Sequence, residues 1–400
     1  MIKKKKVGTH KGQWMVRIQP RDKVTGKQIS WPIRYASTKK EAKLTESQMW
    51  AEYKSDLDIG KASDTFSEDF DSFVNQKKNL ISPVTFRDWH YSATIFKQYF
   101  GNAKISDITE QSVGWFARQF VKEHHSTVGR ATVIAHRLTH MRNFFKPLEG
   151  TVVKTNPVPE KALSKFFKKN EFDVGKKRYV FSSEELELIR QQLLLEINRA
   201  SINNIGTRLA IWIALETGMR PGEIQAVRFS NVTDKDGYFV FKINNSWSDY
   251  TKSFNGALKS RPHGYYRYTV PISHQLVQFL EEYHKQVVDF LKKKTLPLDN
   301  ELVLVNLHDY RSVTEGRPIT QRSMNLMLDK ICSELGIDGG NEQLSMYSFR
   351  HTICTKLANK PGISYPWAAE RMGHSLSVFM RTYVHSDRDM DKKMMDAWMS

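Results

Sequence analysis

The run LAIWIAL, residues 209–215, is apolar around every turn of a helix and is followed by Thr-Gly and then Met-Arg-Pro-Gly. A helix with no polar face is buried on all sides, so other elements have to pack around it. Seven residues fall far short of the roughly 20 that cross a bilayer, and no other apolar run is longer. The 400 residues allow two or three domains, and a hydrophobic share of 40% is enough to give them cores.

The charge balance narrows the partners. Lys and Arg number 61 against 43 Asp and Glu, a net charge of +18, which points to a polyanion: nucleic acid or an anionic surface. The start, MIKKKKVGTHKGQW, is basic but has no apolar stretch behind it and does not read as a secretory signal. Two cysteines, Cys332 and Cys354, offer neither a disulfide framework nor a Cys-based zinc site, so a reducing, cytoplasmic setting is expected. P-loop and HExxH patterns are missing, so neither ATP nor a zincin-type metal is expected as cofactor.

Pattern divides the chain. In 1–62, GQWMVRIQP alternates with Trp14, Val16 and Ile18 on one face, DKVTGK reads as a turn, and QISWPIRYA as a second strand. KKKVGTH before them supplies a third strand, and a capped helix follows from Ser37 or Thr38. The first 60 residues hold fourteen Lys and Arg against six Asp and Glu, so a small basic sheet able to enter a DNA groove is expected, with Lys3, Lys4, Lys5, Lys6, Arg17 and Arg34 as contacts. Residues 63–155 read as four helices. Phe66, Phe70 and Phe73 recur at helical spacing, and TVGRATVIAHRLTHMRNFF carries a polar face with Arg130, Arg137 and Arg142 as DNA contacts. Residues 156–178, rich in lysine and with two prolines nearby, read as a linker lying along the phosphate backbone. The rest, 179–400, mixes helices with a few strands around residues 232–272. The fold class expected is therefore multidomain and mainly α with small β-sheets: a three-stranded sheet plus helix, a helical domain, and a mixed α/β domain.

Chemistry collects in that last part. ALETGMRPGEI places Arg220 just past the buried helix, with Glu223 three residues on. LSMYSFRHT places Arg350 at the opening of another apolar helix. MGHSLSVFMRTYVH, 372–385, sets Tyr383 nine residues after His374. ALKSRPHGYYRYTVPI puts Lys259 ahead of a strand. Two guanidinium groups can clamp a phosphodiester and stabilise a five-coordinate phosphorus. A phenol can attack phosphorus and form an ester, and a lysine can protonate the leaving oxygen. Each residue alone also has an ordinary reading: Arg220 as an ion pair with Glu223, Lys259 as a solvated hairpin lysine, His374 as a helix cap, Tyr383 as a core tyrosine.

Taken in order over about 180 residues, TGMRPGEI, the LK before YRYTVPI, Tyr347–Thr352 and GHSLSVFMRTYVH resemble the tyrosine recombinases of phage and conjugative-transposon integrases. The first 60 residues resemble the arm-site-binding domain of such integrases, and the helical part their core-site-binding domain. The resemblance implies that Arg220 and Arg350 bind the scissile phosphate, that Lys259 protonates the 5′-oxygen, that His374 hydrogen-bonds the phosphate, and that Tyr383 forms a 3′-phosphotyrosine. It implies double-stranded attachment-site DNA as substrate and a homo-tetramer on synapsed DNA. Also implied are a host DNA-bending protein and an excisionase as accessory partners, no membrane, a bacterial cytoplasm with the protein on the nucleoid when acting, and no metal or ATP.

Two departures stand out. Three residues before Arg350 the family usually has histidine, whereas here Tyr347 is present. With a reference pKa near 10, a phenol is a poorer proton acceptor at neutrality than imidazole, which leaves Tyr347 as a positioning group or His351 as its replacement. The stretch from Lys259 to the YRYTVPI strand is longer than usual, and Lys252 is a rival for the lysine role. Two other functions share these features: a type IB topoisomerase-like enzyme, and a DNA-binding regulator that has lost catalysis.

Overall fold

The computed structural model of the chain describes residues 1–19, 28, 31–54, 59–173, 175, 177–297, 301–384, 395, 396 and 399. The turn expected at 22–27, His385 and most of the tail 391–400 lie outside these residues. Two compact units divide at Gly175, inside the expected linker. Secondary structure is mainly helical with small antiparallel sheets, as expected.

The first unit holds two separate cores. Strands β1 (Ile2–Lys4), β2 (Trp14–Val16) and β3 (Arg34–Ala36) pair antiparallel in that order. Helix α1 (Lys39–Lys54) covers one face, where Val16, Ile18, Ala36, Ala42 and Met49 are buried. Cross-strand partners share a face, so Ile2, Val16 and Arg34 point toward α1, while Lys3, Met15 and Tyr35 form the opposite row. After the short α2 (Ile59–Ala62) come α3 (Phe66–Gln76), α4 (Pro83–Phe100), α5 (Glu110–Glu123), α6 (Val133–Phe145) and α7 (Ala162–Phe166). Phe66, Phe70, Phe96, Phe116, Phe120, Phe144 and Phe145 fill their core; burying each contributes about 1.5–3 kcal/mol. The segment expected as a linker takes part in that core: Val158, Ala162, Phe166 and Phe167 are buried in it. Its lack of periodicity reflects turns and a helix of five residues, and its lysines flank apolar side chains that point inward.

In the second unit, α8 (Ser183–Arg199) and α9 (Ile202–Thr217) lead into α10 (Pro221–Gln225). Strands β4 (Val232–Lys235), β5 (Tyr238–Ile243) and β8 (Arg267–Tyr268) form one antiparallel sheet, and β6 (Trp247–Ser248) with β7 (Ser253–Phe254) a separate hairpin between β5 and β8. Helices α11 (His274–Lys293), α12 (Tyr310–Thr314), α13 (Gln321–Glu334), α14 (Met346–Asn359), α15 (Tyr365–Met372) and α16 (Leu376–Tyr383) complete it. Residues 209–214 of α9 are all buried at 1% exposure or less, as a helix apolar on every side requires. No helix among the described residues is long and apolar enough to cross a membrane.

Candidate active site and nucleic-acid interface

Two left-handed glycines bring the arginines together. Gly218 (φ 60°) ends α9, and a Cβ there would lie 2.7 Å from Met372 and 3.0 Å from Ile353. The tight turn it permits lets α9 pass beneath α14 and α15 and hands the chain to Arg220, the N-cap of α10. Gly373 (φ 65°) ends α15, and its missing Cβ would lie 2.8 Å from Nε of Arg267 and 3.3 Å from Nη1 of Arg220. Only glycine fits both the dihedral and the space.

At this point three consecutive carbonyls at the C-terminus of α15 each receive a guanidinium. Arg267 donates to Arg371 O, Arg350 to Met372 O, and Arg220 to Gly373 O at 3.0 Å. Terminal helix carbonyls lack partners within the helix and carry the negative end of its dipole. Glu223, 2% exposed, supplies the one carboxylate among the described residues here: it pairs with Arg220 at 2.9 Å and Arg267 at 2.7 Å and accepts the Arg220 backbone N–H. Burial alone would push its carboxyl up; Arg267, Arg220 and Arg350 outweigh that and bring it down to about 2. Arg350, itself 3% exposed, also donates to Gly218 O at 3.2 Å.

His374 follows Gly373, and its Nε2 lies 2.8 Å from Nη2 of Arg350. A guanidinium has only donors, so Nε2 is the acceptor and the imidazole proton sits on Nδ1. That buried Nδ1 has no partner among the described residues. Burial, then Arg350 and Arg220, pull the imidazole down to about 3, in keeping with a neutral ring.

Ser375 caps α16, which spans two turns and carries Phe379 and Tyr383 inward at i, i+4 while Leu376 and Met380 stay exposed. The nine-residue interval thus folds Tyr383 back over the histidine, with ring centroids 5.6 Å apart and planes at 17°. His351, the next residue after Arg350, faces the same phenol at 5.4 Å. Burial, with Cys354 beside it, raises the phenol above its ordinary range. A site with three guanidinium groups, one carboxylate and an orphan N–H is built to accept an anion, with a phenol at its edge.

Of the residues expected at this site, Arg220, Arg350, His374 and Tyr383 converge. Lys259 is exposed in a turn after the buried Leu258 and makes no hydrogen bond or ion pair among the described residues; its rival Lys252, also exposed, lies in the β6–β7 turn. Tyr347 lies beneath the guanidinium of Arg178, 5.4 Å from the ring centroid, and not against Tyr383. Arg267 was not foreseen. The signal was an arginine among aromatic and apolar residues on the YRYTVPI strand, where it is 3% exposed.

The expected DNA-contacting residues divide by exposure. Lys3, Lys4, Lys6, Arg17 and Arg130 are exposed, and Lys5 is half-buried. Arg34 is drawn to the helix side of the sheet by its ion pair with Glu52. Arg142 donates to Val158 O and Glu160. Arg137 has to be corrected: at 1% exposure it is buried, held by Asp88 and Ser92, and cannot reach a phosphate. Its polar face turned inward because α4 offers an acid and a hydroxyl to meet it.

Residues 185–390 match the family model described as the phage integrase family. No curated protein sequence matches the chain. Among solved structures, the Tn1549 transposon integrase in complex with transposon right-end DNA shares the fold at 16% identity and a TM-score of 0.61, covering 84% of this chain and 100% of its own. The XerH site-specific recombinase bound to difH, in a pre-cleavage complex, is 18% identical with a TM-score of 0.54, covering 87% and 93%. A lambda integrase tetramer bound to a Holliday junction is 14% identical with a TM-score of 0.50, covering 94% and 95%.

Proposed function

The chain belongs to the phage integrase family, tyrosine recombinases that cleave and rejoin DNA, and from that premise we propose that it integrates or excises a mobile element. The observation that carries the reading is the convergence of Arg220, Arg350, His374 and Tyr383 around one anion-accepting point.

In this reading Arg220 and Arg350 hold the non-bridging oxygens of the scissile phosphate. His374 donates its orphan Nδ1–H to a third contact. Tyr383 attacks phosphorus, and the 3′ end stays on the protein as a phosphotyrosine. Lys259, whose exposed side chain makes no hydrogen bond or ion pair among the described residues, moves in with the DNA and protonates the departing 5′-oxygen. Tyr347 braces Arg178 rather than the phosphate. The ester preserves the energy of the broken bond, so a 5′-hydroxyl from a partner duplex restores the backbone without ATP.

The row opposite α1, with exposed Lys3, half-buried Met15 and Tyr35, and neighbouring exposed Arg17, is the face of the sheet offered to arm DNA. The division into an arm domain (1–62), a core-site domain (63–155), a linker (156–178) and a catalytic domain (179–400) is retained with one adjustment: the linker's first part packs with the core-site helices. The working species is a tetramer on two synapsed duplexes, with a DNA-bending protein and an excisionase setting direction, acting in the bacterial cytoplasm on the nucleoid.

The test is expression of the full chain with DNA carrying candidate element ends, followed by sequencing of the products. Junctions at one fixed pair of sites, with each strand exchanged between duplexes, support the reading. Relaxed plasmid without exchanged junctions identifies a topoisomerase instead, and binding with no strand breakage identifies a regulator.

A further inference from the structure

A phenol raised by burial needs a proton acceptor before its oxygen can bond to phosphorus. Tyr347 does not stand beside it, because that ring is spent beneath Arg178. Two imidazoles do flank Tyr383: His374 at 5.6 Å and His351 at 5.4 Å between ring centroids. His374 is excluded as acceptor, since its one lone-pair nitrogen already takes a hydrogen from Arg350. His351 is held in place by its position on α14 directly after Arg350, and its imidazole has no hydrogen bond or ion pair among the described residues.

We propose that His351 is the base of the cleavage step, taking the phenolic proton of Tyr383 as the Oη–P bond forms. This rests on Tyr383 being the nucleophile. The step balances: the Oη–P bond forms, the P–O5′ bond breaks, the phenolic proton passes to a ring nitrogen of His351, and the 5′-oxygen is protonated by Lys259. In religation a 5′-hydroxyl gives its proton to Lys259 as its oxygen bonds to phosphorus, and the displaced phenol recovers the proton from His351.

The groups facing the imidazole are Arg350 on its own helix, Arg178 from the segment before α8, and His374 and Tyr383 from the far side. Burial, Arg178 and Arg350 pull His351 down to about 4, which keeps it unprotonated and ready at neutral pH. Transfer from a resting phenol to such a base is uphill, so it occurs in concert with attack, when the phenolic oxygen acidifies.

The experiment is single-turnover cleavage of a nicked suicide duplex by the full chain, from pH 5 to 9, with an oxygen or a sulfur at the 5′-bridging position. A thiolate leaves without a proton, so sulfur reports only on the leaving-group side. His351→Gln and His351→Asn are expected to slow the chemical step by about 10²-fold or more at pH 7 with DNA affinity unchanged. Their rates should rise with pH where wild type is flat, and sulfur should not restore them. Lys259→Ala should recover with sulfur. If a His351 variant folds poorly, partial restoration of His351→Gly by added imidazole is the equivalent supporting result.

Glutamine and asparagine variants that cleave within about threefold of wild type with the same pH profile overturn the proposal. So does a defect that sulfur restores in full, or a His351→Gly defect that imidazole leaves untouched. A Tyr383→Phe protein that still forms the covalent adduct overturns the nucleophile assignment instead, so the two failures are distinguishable.

Discussion

Each unit of this protein buries an arginine beside a histidine, and the two clusters differ in one respect that separates scaffold from site. In the helical domain, Arg137 meets Asp88 and Ser92, Ser92 lies 2.6 Å from Nδ1 of His140, and His140 stacks on Trp89 at 3.8 Å. One guanidinium is matched by one carboxylate, and of its nitrogens only Nε lacks a partner among the described residues. In the second unit, Arg220, Arg267 and Arg350 converge on the end of α15 with Glu223 as the one carboxylate paired there among the described residues, and His374 keeps a buried N–H that none of them receives. A buried cluster with cations in excess is costly unless something anionic arrives. The first cluster is balanced in charge as it stands; the second is balanced only with a phosphate in it.

The strongest way to break this comparison is to remove an arginine from each side. Arg350→Ala is expected to lower cleavage by about 10²–10³-fold, as loss of an anion-stabilising donor does, while shifting thermal stability little because it relieves like-charge repulsion. Arg137→Met should do the reverse, costing about 1–3 kcal/mol of stability while leaving the rate at saturating DNA unchanged. That cost is lower than for a fully buried pair because Asp88 is 38% exposed and rewets. Thermal unfolding and single-turnover cleavage on both variants decide it; matching behaviour would erase the distinction.

A second effect sharpens it. Orthovanadate, which mimics a five-coordinate phosphorus, should bind the unbalanced cluster and raise the unfolding temperature of the wild type. At about 100 times its Kd the gain is about 2.7 kcal/mol. Arg350→Ala should lose the shift and Arg137→Met keep it.

The smallest effect is in pH. His140 is pulled down to about 4, His351 to about 4 and His374 to about 3, burial leading in each case. Between the ordinary histidine value near 6.5 and these lower values the unfolded chain binds protons that the folded one does not. Stability should therefore be full above pH 6.5 and fall as pH drops toward 4. Glu223, at about 2, keeps its ion pairs over that window. Unfolding midpoints from pH 7.5 to 5 should show this slope, and His140→Asn and His374→Asn should each flatten it; a flat wild-type curve would mean these rings are not buried neutral.

The sequence carried much of this, unevenly. Thr-Gly after an all-apolar helix marks a left-handed turn, Gly-His after another helix marks a second, and each delivers a polar side chain to a fixed place. That is why Arg220 and His374 were legible along with Arg350 and Tyr383. Arg267 was not, because nothing local says that a strand residue will meet a helix C-terminus a hundred residues away. Arg137 was misread for the matching reason: helical spacing shows that a polar face exists but not that Asp88 on α4 will bury it. Lysines between 156 and 178 hid Val158, Phe166 and Phe167, whose burial depends on a core assembled from other helices. Lys259 and Tyr347 mark the limit of motif reading, since neither side chain is packed against the arginines.

The most direct measurement is the identity of the residue bonded to DNA. Wild-type protein incubated with a nicked attachment duplex, digested and analysed by mass spectrometry, should yield one nucleotide-bearing peptide, esterified at Tyr383 through a 3′-phosphate. The adduct should be lost in Tyr383→Phe. A nucleotide found on any other residue, or exchange of strands that persists in Tyr383→Phe, would contradict the account.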